Sequence, residues 1–214
     1  MANHRKAYLE ITNRCNLNCS FCPGTDRAPG RLDEQQFTFL AKRLSGWAEY
    51  LFFHLMGEPT AHPGLPRFIE IASELGMKSI ITTNGTLLRS RGDSIIEANP
   101  HKISISLHAF EANPPGMSFD EYIDGCLEFA KKASASGIIT VLRLWNLDGH
   151  SREAAHHEQN DSILAALHEA FPEEWTAHHN GYKIRDRVYL EWGERFDWPS
   201  MTDAPDYGDR KSVV

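Results

Sequence analysis

At 214 residues, with 41% hydrophobic and 24% charged side chains, the chain suits one domain with a sizeable core, or a domain with a short appendage. A net charge of −7 argues against a nucleic-acid or anionic-membrane partner, and no apolar run approaches the roughly 20 residues that cross a bilayer. The basic start Met1-Ala-Asn-His-Arg-Lys6 meets a short alternating strand instead of a signal-peptide core, and four cysteines, three of them bunched, make no disulfide framework, so the expected setting is the reducing cytoplasm.

The first predicted strand is Ala7–Thr12, and a loop carrying Cys15, Cys19 and Cys22 follows it. A helix is expected from Asp33, its cap, to Trp47, with Phe37, Leu40, Leu44 and Trp47 on one stripe. Strand Tyr50–Met56 ends at Gly57-Glu58-Pro59, and a helix over Leu65–Leu75 stops at Gly76. Strand Lys78–Thr83 runs into Asn84-Gly85, and strand Lys102–Leu107 places Ser104 and Ser106 on one face. Ser118 and Glu121 form a capping box for a helix that ends at Gly137. Arg143 interrupts the apolar strand Ile138–Leu144; a helix candidate at Ser151–Phe171 and a fainter strand at Arg187–Trp192 complete the pattern. Beyond Gly193 the chain turns acidic and rich in turn formers, so residues 1–195 read as the core domain and 196–214 as an irregular tail.

Short β-branched strands alternating with helices imply βαβ units around a parallel sheet. The unusual residues fall after the strands: the cysteines, Gly57-Glu58-Pro59, Asn84-Gly85, Ser106-Leu107-His108 and Arg143. That is the face where β/α barrels and open α/β sheets build their sites.

Thiolates suit iron–sulfur clusters, zinc or Cu(I). Three on one short loop can hold three corners of a [4Fe–4S] cubane, whereas ferredoxin-type carriers use four. Cys126 lies more than a hundred residues away on an apolar helical face, where a packed thiol is the ordinary reading. A three-cysteine site leaves one iron open to another ligand. A structural zinc loop would want a fourth ligand nearby, and none of the eleven histidines is obviously placed; His156-His157 and His178-His179 read as solvated.

The run C-N-L-N-C-S-F-C-P, with Phe21 as the aromatic of C-x3-C-x-aromatic-C, together with Gly57-Glu58-Pro59, resembles the radical S-adenosylmethionine (SAM) superfamily. The resemblance implies a partial (β/α)6 barrel, and the six counted strands agree. It implies a [4Fe–4S] cluster on Cys15, Cys19 and Cys22, with SAM on the open iron. Reductive cleavage then gives a 5′-deoxyadenosyl radical that abstracts a substrate hydrogen. By the same resemblance Phe21 covers the cluster or stacks near the adenine, and Gly57, Glu58 and Pro59 position SAM through backbone carbonyls. Ser106 faces the ribose or carboxylate, and Arg143 pairs with the SAM carboxylate. Asn84 reads equally as a cofactor contact or as a plain turn. An external one-electron reductant such as flavodoxin or ferredoxin is implied, with a peptide or small-molecule substrate; no residue is assigned to the substrate step. The segment Tyr189–Pro199 looks like the run that precedes a cysteine-rich SPASM domain, but no cysteine follows Cys126, a departure from that branch. A short polar tail is expected to leave the mouth unclosed, with slow SAM cleavage uncoupled from substrate. The alternative reading is a non-catalytic iron–sulfur or zinc module in electron transfer or regulation.

Overall fold

The computed structural model describes residues 5–112, 116–147 and 158–194. The helix start predicted at Ser151, His156-His157, the 195/196 boundary and the tail lie outside them.

Strands β1 (Lys6–Tyr8), β2 (Tyr50–Phe52), β3 (Lys78–Thr83), β4 (Lys102–Ser106) and β5 (Ile139–Leu147) pair in parallel and in sequence order. Helices α1 (Glu34–Leu44), α2 (Leu65–Glu74), α3 (Leu88–Glu97) and α4 (Phe119–Ala135) make the crossovers, and α5 (Glu158–Ala170) follows β5. The next two strands, β6 (Thr176–His178) and β7 (Gly181–Arg185), form an antiparallel hairpin that sequence reading did not predict. Strand β8 (Val188–Glu194) then returns parallel to β5, giving the order β1-β2-β3-β4-β5-β8-β7-β6. The sheet is not closed: β1 and β6 are its edges. Six parallel strands in an open sheet make the partial barrel expected from the sequence, and the hairpin extends one side of it.

Two capping boxes start helices where sequence chemistry places them. Asp33 accepts the Gln36 amide at 2.8 Å while Gln36 accepts the Asp33 amide at 2.9 Å, and Ser118 and Glu121 exchange the same pair of bonds. The predicted stripe of α1 holds for Phe37, which stacks on Phe68 of α2 at 4.2 Å and meets Phe53 edge-on at 5.4 Å. It fails at Trp47. The helix ends at Leu44, and the Trp47 indole is half exposed under the Arg5 guanidinium. Helix α3 was also missed. Gly92 and two serines give it a weak intrinsic preference, but Leu88, Gly92 and Ile95 are buried, and a Cβ on Gly92 would come within 2.7 Å of the Phe129 ring. Tertiary packing against α4 makes this helix.

Strand alternation divides the sheet. Leu51, Phe53, Ile81, Ile103, Ile105, Leu142 and Leu190 are buried in the core against the helices. The opposite, inner face carries Tyr8, Phe52, His54, Thr82, Ser104, Ser106, Arg143, Tyr189 and Glu191, in layers set by the register Thr82–Ser104–Val141–Tyr189 and Ser106–Arg143–Glu191. The core therefore lies outside this face, which is left for polar chemistry.

Candidate functional site

The cysteine loop begins where β1 stops pairing. Leu9 gives its amide to Phe52 O, and the chain then turns away so that Thr12 bridges Arg31. The neck is pinned by Thr12 Oγ1 on Gly30 O at 2.9 Å, Gly30 N on Asn13 Oδ1 at 2.7 Å and Asn13 Nδ2 on Ala28 O at 3.0 Å. Within the loop, the Cys22 amide donates to Cys19 O, a tight turn that brings two of the thiols onto one bend.

Gly57 fits against this neck. Its φ is +80°, and a Cβ there would fall 2.5 Å from Thr12 O and 2.9 Å from Arg14 O. Only glycine allows that approach, and it lets the Glu58 amide reach Arg14 O at 2.8 Å. The Glu58 side chain is 2% exposed and faces the framework. Its Oε1 accepts Thr60 N (2.9 Å), Thr60 Oγ1 (2.6 Å) and Thr83 Oγ1 (2.7 Å), and its Oε2 accepts Asn84 N (2.7 Å). Burial pushes this carboxyl up, and the four hydrogen bonds oppose the shift. Glu58 thus ties the end of β2 to the end of β3, and Pro59 opens the short helical turn Pro59–Ala61.

Asn84 continues the tie into the cysteine loop. Its Nδ2 donates to Asn16 Oδ1 at 3.0 Å and lies 3.9 Å from Cys15 Sγ, while its Oδ1 takes the amide and hydroxyl of Thr86. The Leu17 amide also points at Cys15 Sγ, at 3.4 Å. Burial pushes the Cys15 thiol up, and burial with its neighbouring thiols pushes Cys19 up to about 12. Among the described residues no three His, Cys, Asp or Glu side chains are gathered tightly enough to hold a single metal ion. Cys126 is fully buried, its thiol 3.9 Å from Gly85 O, as expected for a packed thiol.

On the far side of the mouth, Phe21 packs on His108 with ring centroids 4.9 Å apart, and His108 Nδ1 takes the Trp145 amide at 3.2 Å. The Arg143 guanidinium stacks on the Trp145 indole at 4.4 Å. A continuous run of contacts therefore links Phe21 to Arg143. Arg143 Nε lies 3.5 Å from Glu191 Oε2 and Nη1 donates to Thr82 Oγ1 at 3.4 Å. Burial lowers the Arg143 pKa and Glu191 opposes that shift. Thr82 Oγ1 is also 3.2 Å from His54 Nε2, and burial followed by Arg143 holds His54 down at about 4. Ser106, half buried, sits beside Arg143 in register.

The sequence reading pairs Arg143 with a SAM carboxylate and names no partner within the chain; the structure supplies Glu191. The signal lay in the parallel register, because Arg143 and Glu191 occupy the same level of adjacent strands. The sequence reading places Thr82 and Trp145 at strand ends without giving them a role and passes over His54, because their contacts join residues far apart in sequence.

A family model described as the radical SAM superfamily matches residues 9–158. The chain belongs to the radical SAM superfamily. Among curated radical SAM relatives, GTP 3′,8-cyclase of Chlorobaculum tepidum is 32% identical over 108 residues, covering 48% of this chain and 32% of that protein. AdoMet-dependent heme synthase of Oleidesulfovibrio alaskensis is 30% identical over 135 residues, covering 58% and 34%. The chain spans about a third of the length of these relatives. Among solved radical SAM structures, Streptococcus suis SuiB bound to S-adenosylmethionine superposes with a TM-score of 0.56 at 20% identity, over 77% of this chain and 38% of that one. The structure of anSMEcpe with AdoMet and the Cp18Cys peptide gives 0.58 at 15% identity, over 90% and 51%. These likenesses establish the radical SAM fold. No helix among the described residues is long and apolar enough to cross a membrane.

Proposed function

We propose that this chain is the SAM-cleaving core of a radical SAM enzyme, with a [4Fe–4S] cluster on Cys15, Cys19 and Cys22. Family membership implies SAM and an iron–sulfur cluster, and the donor set fits one: three thiols on a loop pinned at its neck, with no fourth cysteine nearby. A structural zinc loop would want a fourth ligand close by in the sequence, and none stands beside Cys15, Cys19 and Cys22.

When bound and reduced by an external one-electron donor of the flavodoxin or ferredoxin class, such a cluster supplies the electron that breaks the SAM sulfonium into methionine and a 5′-deoxyadenosyl radical. The chain's own residues bind and orient. Gly57 lets the end of β2 close on the neck of the cysteine loop. The Glu58 and Pro59 carbonyls accept the Ala61 and His62 amides within the turn and so are not the free acceptors expected from the sequence. The Glu58 carboxylate, committed to Thr60, Thr83 and Asn84, holds that turn in place. Asn84 steadies Cys15 and Asn16. Ser106 and Arg143 offer a hydroxyl and a guanidinium to ribose and carboxylate, with Glu191 and Trp145 keeping Arg143 oriented until a ligand carboxylate shares it. Phe21 and His108 wall the mouth against water. A substrate, peptide or small molecule, would meet the radical over the inner face.

The observation that carries this reading is the unbroken run of contacts from Phe21, inside the cysteine motif, to Arg143 on β5. The test is anaerobic reconstitution followed by EPR of the reduced protein with and without SAM. SAM should perturb the signal, and Arg143→Ala should keep the iron while weakening SAM about tenfold, the loss of one partly desolvated ion pair worth ~1.4 kcal/mol. An EPR signal indifferent to SAM would contradict the proposal, and unchanged SAM affinity would remove Arg143 from the site.

A further inference from the structure

Resting on the cluster assignment above, we infer that Glu111 is a positioning residue that both anchors the cysteine loop and lowers the reduction potential of the group bound there. Glu111 lies in the 3-10 turn Leu107–Ala112 that follows β4. Its Oε1 accepts two hydrogen bonds from Ser20: the amide at 3.0 Å and the hydroxyl at 2.6 Å. Ser20 stands directly after Cys19 and before Phe21, inside the ligand motif. A carboxylate 91 residues away in sequence therefore grips the segment between the second and third thiols.

The grip completes a clamp. On the side of β2 and β3 the loop is held by Gly57 against its neck and by Asn84 on Asn16. On the side of β4 it is held by Glu111 on Ser20 and His108 on Phe21. Hydrogen bonds to an ionised acceptor are short and about twice as strong as neutral ones, and the 2.6 Å contact fits that class.

Two electrostatic consequences follow from the same geometry. A negative charge held on Ser20, the neighbour of Cys19, opposes the arrival of an electron, so it favours the oxidised state and makes the reduced one a stronger donor. Solvent screens part of the effect, because Glu111 and Ser20 are both exposed. Donors to cluster sulfur also set the potential, and Glu111 engages the amide of Ser20, which stands next to Cys19 in the ligand motif. Both effects act in one direction. Breaking a sulfonium by a single electron needs a strong reductant, so a carboxylate at this position serves the proposed reaction.

The test is a redox titration followed by EPR on reconstituted full-length chain, without SAM, at one pH. Glu111→Gln keeps an acceptor for Ser20 and removes the charge; it should retain wild-type iron and move the midpoint potential upward. Glu111→Ala removes both and should shift the potential upward and release iron faster to a chelator. Glu128→Gln, which neutralises an exposed carboxylate on α4, should leave the potential in place. A wild-type cluster whose potential Glu111→Gln leaves unmoved, or moves no more than Glu128→Gln does, overturns the tuning role. A wild-type chain that assembles no cluster overturns this inference together with the cluster assignment on which it rests.

Discussion

Replacing Glu58 by alanine should cost stability in the metal-free chain, before any cofactor chemistry is at stake. Four donors converge on this carboxylate from Thr60, Thr83 and Asn84, and the side chain is almost wholly buried. The two hydroxyls can recover by pairing with each other, since Thr60 Oγ1 and Thr83 Oγ1 already lie 3.4 Å apart. The amides of Thr60 and Asn84 cannot rotate. Each buried, unsatisfied N–H costs about 1–3 kcal/mol, and relief of the carboxylate's own desolvation offsets part of the sum. The net loss should be about 3 kcal/mol. Glu58→Gln keeps the volume but turns an NH2 group toward a donor, so it should lose about half as much. Urea unfolding of the three metal-free proteins under identical conditions reads these differences directly. Should Glu58→Ala fall within about 0.5 kcal/mol of wild type, the range of ordinary surface changes, the four-bond tie is not what holds the strand ends together.

His54 makes stability depend on pH. Its ordinary pKa of 6.5 is held down at about 4 in the folded chain, so its contribution is complete above pH 6.5 and is lost as pH falls toward 4. That contribution amounts to at most about 3 kcal/mol, and His54→Gln should flatten the stability–pH curve in this window; parallel curves would contradict the burial argument. Gly57→Ala must place a Cβ 2.5 Å from Thr12 O at a φ of +80°, so it should lose at least about 2 kcal/mol and load less iron; wild-type melting and iron content would refute the close approach. Cys126→Ala should retain full iron, because its thiol lies in the core beside Gly85 O, and iron loss in that variant would show a fourth ligand.

Strand β3 was legible to the residue, since a buried parallel strand reads as an unbroken β-branched run bounded by lysine and asparagine. The caps at Asp33 and Ser118 were legible because their chemistry is local. Strand β1 was predicted too long: Leu9 to Thr12 looks like strand, but its pairing after Leu9 goes to the loop at Arg31. The β6–β7 hairpin, which turns through His179-Asn180 with Gly181 already paired in β7, was missed because its strands are short and β6 is fully exposed, leaving no alternating apolar face to read. In the site, the cysteines, Gly57, Asn84 and Arg143 stand out by type and by place after a strand. What they touch does not stand out. That Glu58 turns inward, that Glu191 meets Arg143 and that Glu111 holds Ser20 depend on register and on contacts spanning 25 to 91 residues.

Quantifying 5′-deoxyadenosine after anaerobic reconstitution, dithionite reduction and addition of SAM reads radical generation by this chain itself. Product should form with the wild-type chain and, at a comparable level, with Cys126→Ala, and none should form with Cys15→Ala, Cys19→Ala or Cys22→Ala. Iron-loaded wild-type protein that yields no 5′-deoxyadenosine, or product that persists without one of the three loop cysteines, would contradict the proposed SAM cleavage.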